Sequence, residues 1–122
     1  MSRGALRILL VDDDAELLCF VQRFLFRRGH DVLTAAHGGA AIAVLEGALQ
    51  GFDALVTDVQ MSPCSGWDLL SWVAEHMPEL RCFVVTGFGS AIARQLSQDY
   101  GAEYLEKPID PALLAERLER LW

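Results

Sequence analysis

With 122 residues and a formal net charge of −7, the chain has the length of one domain and lacks the clustered Lys and Arg that a phosphate backbone requires. Direct nucleic-acid binding is therefore not expected. Hydrophobic residues make up 52% of the chain, enough to close a core. No apolar run approaches the roughly 20 residues of a membrane-spanning helix, and Met1-Ser2-Arg3-Gly4 lacks the apolar stretch of a secretory signal, so a single cytoplasmic domain over residues 1–122 is predicted.

Strand and helix patterns then alternate along the chain. Residues 7–11 form an apolar run suited to a strand buried on both faces. Asp12-Asp13-Asp14 opens a helical stretch with Leu17, Leu18, Val21, Phe24 and Leu25 on one face, ending at Arg28-Gly29. Residues 32–35 predict a second strand, and after a Gly38-Gly39 turn residues 40–48 predict a second helix. A third buried strand covers 54–57 and ends at Asp58; a loop with Pro63 and Gly66 follows. The third helix places Trp67, Leu70, Val73 and Met77 along one side and stops at Pro78. Residues 82–85 predict the fourth strand, and 91–100 a weak helix stopped by Gly101. Residues 103–106 predict the fifth strand. Asp110 caps a last helix with Pro111 at its first position and a Leu114, Leu118, Leu121 stripe. Five strand–helix pairs with short connections predict a doubly wound α/β fold, its parallel sheet covered by helices on both sides.

Three cysteines are too few and too scattered for a disulfide framework or a zinc site. Cys19 and Cys82 fall in apolar periodic segments and are expected in the core, and Cys64 in a loop. His30, His37 and His76 are expected at the surface or in turns.

In open parallel sheets, ligands bind at the carboxyl ends of strands. Asp12, Asp13, Asp58, Thr86 and Lys107 all lie just past strand ends and should converge on one edge. Each residue has a simpler use. The acidic run can cap the first helix, a Lys before Pro is ordinarily a solvated loop residue, and a strand-end Thr before Gly is ordinarily a turn residue. A helix needs one cap, however, and a second strand also ends in Asp. Carboxylates gathered in one cleft repel one another unless a cation joins them, and an oxygen-only donor set favours a hard ion such as magnesium. An oxygen nucleophile, a metal, an ammonium and a hydroxyl together suit in-line phosphoryl transfer.

The segments Leu10-Val11-Asp12-Asp13-Asp14, Val56-Thr57-Asp58-Val59-Gln60-Met61, Gly66, Val85-Thr86-Gly87 and Tyr104-Leu105-Glu106-Lys107-Pro108 occur in that order. As a set, this resembles the receiver domain of two-component response regulators, over about residues 6–121. The resemblance implies a flavodoxin-like sheet in the order 2-1-3-4-5 with five helices. It implies that Asp58 accepts a phosphoryl group from a phosphohistidine on a sensor histidine kinase or histidine phosphotransfer protein. By the same resemblance, Asp13 matches the direct Mg2+ ligand, Asp12 a ligand mainly through water, and Gln60 a ligand through its backbone carbonyl, with Asp58 completing the set. Thr86 and Lys107 match the switch hydroxyl and the phosphate-pairing lysine. Gly87 leaves access to the phosphoryl group open. Tyr104, a sheet-edge aromatic on its residues alone, matches the ring that turns inward when Thr86 moves. The Lys107–Pro108 bond is expected to be cis. The implied role is a signalling switch controlling an output domain or partner protein, not an enzyme acting on a separate substrate.

Two other functions compete. A degenerate receiver would bind a partner without phosphorylation, and a magnesium-dependent phosphohydrolase would need an acid/base and a substrate-selecting cap that so short a chain does not offer. The sequence also departs from the family pattern. Ser62 stands where relatives usually have Pro, with Pro63 next. The segment from Thr86 to Lys107 is one residue short, which weakens the expectation of the usual dimer through the fourth helix, fifth strand and fifth helix. Phe88 cannot hydrogen-bond a water, so slow loss of the phosphoryl group is expected.

Overall fold

The structure, a computed structural model, describes residues 4–48, 51–59, 65–87 and 91–120. The expectations for Gln60, Met61, Ser62, Pro63, Cys64, Phe88 and Leu121 lie outside the described residues. The elements run β1 (Arg7–Val11), α1 (Ala15–Arg27), β2 (Asp31–Ala35), α2 (Gly38–Gly47) and β3 (Ala54–Thr57). They continue α3 (Gly66–His76), β4 (Arg81–Thr86), α4 (Ala91–Asp99), β5 (Glu103–Glu106) and α5 (Pro111–Arg120). The five strands form one parallel sheet in the order β2-β1-β3-β4-β5. This is the expected α/β architecture and strand order.

Period-two side-chain alternation explains the two cores. Ile8, Leu10, Val56, Phe83 and Val85 point to one face, where Leu18, Val21 and Leu25 of α1 and Leu114 and Leu118 of α5 cover them. Leu9, Val11, Leu55 and Val84 point to the other, beneath Ala41 and Leu45 of α2 and Leu69, Leu70 and Val73 of α3. Both faces being covered, the central strands carry no polar alternation: every residue of β3 is buried. At the sheet edge, β5 is only partly buried.

The acidic run does cap α1, through Asp14, whose carboxylate accepts from the Glu16 and Leu17 amides at 3.1 Å. Several other local expectations are corrected. Gly38 and Gly39 belong to α2 rather than to a turn. The first amides of a helix need outside partners, and His37 Nδ1 supplies one by accepting from the Ala40 amide at 3.1 Å. Cys82 is buried as expected, but Cys19 is exposed, because the buried stripe of α1 runs through Leu18, Val21 and Leu25 and leaves Cys19 outside it. In α3 the buried positions are Gly66, Leu69, Leu70 and Val73, with Trp67 and Met77 only partly buried. The weak pattern of α4 reflects a buried face of small residues, Ala93 and Ser97; Ser97 Oγ donates to the Ala93 carbonyl at 2.8 Å.

His30 is not a surface residue. It is 5% exposed, with Nδ1 accepting from the Leu6 amide at 3.0 Å and Nε2 at 2.7 Å from Glu119 Oε2 in α5. Arg28 holds the same carboxylate at 3.0 and 2.5 Å. The exit of α1 is thereby tied to the end of α5, at the edge of the sheet opposite the strands' carboxyl ends.

Candidate functional site

Parallel register brings the predicted residues to one edge. Val11 lies beside Ala35 and Thr57, Thr57 beside Val84, and Thr86 beside Glu106. The ladder continues one residue further. The Asp12 amide donates to the Ala35 carbonyl at 3.2 Å, that of Asp58 to Val11 at 3.0 Å, and that of Lys107 to Thr86 at 2.9 Å. These bonds fix the backbones of Asp12, Asp58 and Lys107 where their side chains can meet.

They do meet. Lys107 Nζ lies 2.8 Å from Asp12 Oδ2 and 3.0 Å from Asp58 Oδ2. One carboxylate oxygen each from Asp12, Asp13 and Asp58 lies within 4.8 Å of the others. Asp12 and Asp58 are buried at 4% and 6% exposure, while Asp13 is exposed at the mouth. Burial raises the Asp12 carboxyl above its ordinary value, against the opposing pull of Lys107 and of the Asp14 amide, which donates to Asp12 Oδ1 at 2.9 Å. Burial also works to lower Lys107, but its hydrogen bonds to Asp12 and Asp58 prevail and hold its ammonium above the usual lysine value. Three carboxylates thus share one ammonium, so the cluster still has room, by charge, for a divalent cation. Its donors are all oxygen, which fits a hard ion.

The remaining residues frame this cleft. Thr86 is buried at 1% exposure. Gly87 is exposed, and a Cβ there would lie 3.8 Å from Lys107 Cδ, an ordinary contact. The Lys107–Pro108 bond is cis, as expected. Thr57 Oγ1 donates to the Asp58 carbonyl at 2.7 Å. Gly66 is present for space: a Cβ on it would overlap the Asp58 carbonyl oxygen and stand 2.6 Å from Val59 Cα. The first turn of α3 therefore rests directly on the backbone of Asp58.

Tyr104 is partly buried against the α2–α3 core. Its hydroxyl is enclosed, with no hydrogen-bond partner among the described residues. The Arg94 guanidinium lies 4.9 Å from the centre of its ring and 3.6 Å from Glu106. Two contributors went unnoticed in the sequence. Asp14 braces Asp12 through a backbone amide, a bond that the two-residue spacing of an Asx turn could have suggested. Arg94 covers Tyr104, a pairing between elements for which no local signal exists.

Comparison with known proteins gives a consistent result. Residues 8–119 match the family described as response regulator receiver domain. The chain is 30% identical over 120 residues to the two-component response regulator ARR14 of Arabidopsis thaliana, an alignment covering 98% of this chain and 30% of that protein. It is 34% identical over 117 residues to the transcriptional regulatory protein CpxR of Klebsiella pneumoniae, covering 94% of this chain and 48% of that one. The chain thus spans 30% to 48% of the length of these curated relatives. Among solved structures, a CheY-like response regulator receiver domain protein from Methanospirillum hungatei superposes with a TM-score of 0.87 at 30% identity, covering 94% of this chain and 91% of that one. The chemotaxis protein CheY4 of Vibrio cholerae gives a TM-score of 0.87 at 28% identity, covering 98% of this chain and all of that one.

Proposed function

Because this chain belongs to the response regulator receiver domain family, we propose that it is a phosphorylation-controlled switch with Asp58 as its phosphoacceptor. The observation that carries this reading is the Lys107 ammonium held between Asp12 and Asp58, at 2.8 and 3.0 Å, at the carboxyl edge of the sheet. Asp58 Oδ attacks the phosphorus of a phosphohistidine, its new O–P bond replacing the broken P–N bond and the electron pair leaving with the imidazole. Lys107, anchored by Asp12, keeps a cation against the phosphoryl oxygens as they arrive. The Thr86 hydroxyl donates to one of those oxygens, Gly87 leaves their approach open, and Tyr104 follows the movement of Thr86. This shifts the balance between two conformations. Mg2+, held by Asp13, Asp58 and the Gln60 carbonyl and by Asp12 through water, would supply further neutralisation of phosphoryl charge.

The donor is a sensor histidine kinase or a histidine phosphotransfer protein in the cytoplasm, and the receiver of the signal an output domain or partner protein. Any DNA binding belongs to that output and not to this acidic chain. Retention of Asp13, Asp58 and Lys107 together speaks against a degenerate receiver, which could dispense with them.

Incubation with acetyl phosphate and Mg2+, followed by intact mass measurement, tests the assignment. The wild type should gain one phosphoryl group and Asp58→Asn none. An adduct that survives the substitution would overturn the assignment.

A further inference from the structure

While Leu18, Val21 and Leu25 of α1 face the core, its outer side presents Glu16, Cys19, Phe20, Arg23, Phe24 and Arg27 along one shallow groove. Phe20 is 55% exposed. The three-and-four spacing of these positions makes a continuous stripe, with Cys19, Phe20 and Phe24 grouped around Arg23 and a charge at either end, Glu16 and Arg27. Among the described residues Glu16, Arg23 and Arg27 make no ion pair. On the α4–β5–α5 side, by contrast, charges are matched within the chain: Arg94 with Glu106, and Arg117 and Arg120 with Glu103.

The order of the stripe supplies what the groove lacks. Laid antiparallel against itself about a point between Val21 and Gln22, it sets Glu16 opposite Arg27, Cys19 opposite Phe24, and Phe20 opposite Arg23. We propose that a second copy of this chain covers the groove, through a two-fold antiparallel pairing of α1 with α1 of the partner subunit. In such an isologous contact every pairing occurs twice. The outer charges close two ion pairs, and each Arg23 guanidinium lies over the partner subunit's Phe20 ring. The net charge of −7 opposes association of whole chains, and so does the approach of the two Arg23 guanidinium groups near the two-fold axis; the paired Glu16–Arg27 contacts and the burial of Phe20 and Phe24 act against both. One helix face falls short of the roughly 800 Å² per partner of a standard interface, so the dimer is weak and concentration-dependent.

Sedimentation equilibrium of the unphosphorylated chain, from about ten micromolar to about one millimolar, tests the pairing. The wild type should show a monomer–dimer equilibrium and Phe20→Ser a monomer, with circular dichroism confirming that each variant is folded. Glu16→Arg or Arg27→Glu alone should weaken the dimer about fivefold, and the two together should restore it to within about twofold of wild type. The proposal fails if the wild type stays monomeric, if the dimer survives Phe20→Ser, if the single reversals change nothing, or if the double reversal associates no better than the singles. A wild-type monomer whose phosphoryl uptake from a phosphohistidine protein falls with Phe20→Ser would give the groove to that protein instead.

Discussion

Glu119 sits beneath the sheet, far in sequence from its partners, and its carboxyl is held at about 2 instead of 4.5. The Arg28 hydrogen bonds are the main cause, burial opposes them, and His30 adds to the lowering. Because the folded value lies below the unfolded one, the ionised carboxylate stabilises the fold fully above pH 4.5, and this is lost as pH falls through about 2. The side chain is 32% exposed, so screening reduces the contribution to about 1–2 kcal/mol. Urea unfolding should therefore show Glu119→Gln to be less stable than wild type by that amount at pH 7, with the gap narrowing steadily below pH 4.5. A gap that stays constant down to pH 3 would contradict the assignment. The contrast between this residue and Asp58 shows what a sequence reveals. Asp12, Asp58 and Lys107 were legible because a parallel sheet gathers every strand end at one edge, so chain position alone locates them. His30 was not, because its partners lie 24 and 89 residues away and nothing local marks a histidine for burial.

The starts of α1, α2, α3 and α5 are each capped by a different side chain, and α3 bears most directly on the site. Ser65 and Asp68 form a reciprocal cap at 3.2 Å, which fixes where the helix begins and so where Gly66 meets the Asp58 backbone. Gly66→Ala should cost about 2–3 kcal/mol, since the added carbon can be accommodated only by moving backbone. It should also slow phosphoryl uptake, whereas Ser71→Ala on the exposed side of the same helix should change stability by no more than about 0.5 kcal/mol. Urea unfolding paired with mass-detected phosphorylation would separate the two. At this scale all ten elements were legible, but some edges were not. Gly38-Gly39 looked like a turn because glycine disfavours helices, yet burial of Ala41 and Leu45 draws the chain into a helix that His37 can cap. The phase of α3 slipped toward Trp67 and Met77 because large apolar side chains suggest a buried face, while the close approach at Gly66 sets the rotation.

For the whole molecule, alternation of strand and helix was sufficient to anticipate a sheet with two cores, and the family resemblance supplied its order. The ties across the molecule are a different matter, since they come from side chains that meet only after the layers have assembled. The link from Glu119 to Arg28 and His30 fastens the last turn of α5 to the exit of α1, while the first turn of α5 follows directly from Lys107-Pro108 at the opposite edge of the sheet. Hydrogen exchange measured before and after phosphorylation should accordingly change over residues 107–114 and hold nearly constant over 115–120, and an equal change along the whole helix would argue otherwise. With its far end clamped through Glu119 and its near end joined directly to Lys107, α5 is anchored as a hinged lever, so that a sub-ångström adjustment at the site would emerge as a tilt instead of a translation.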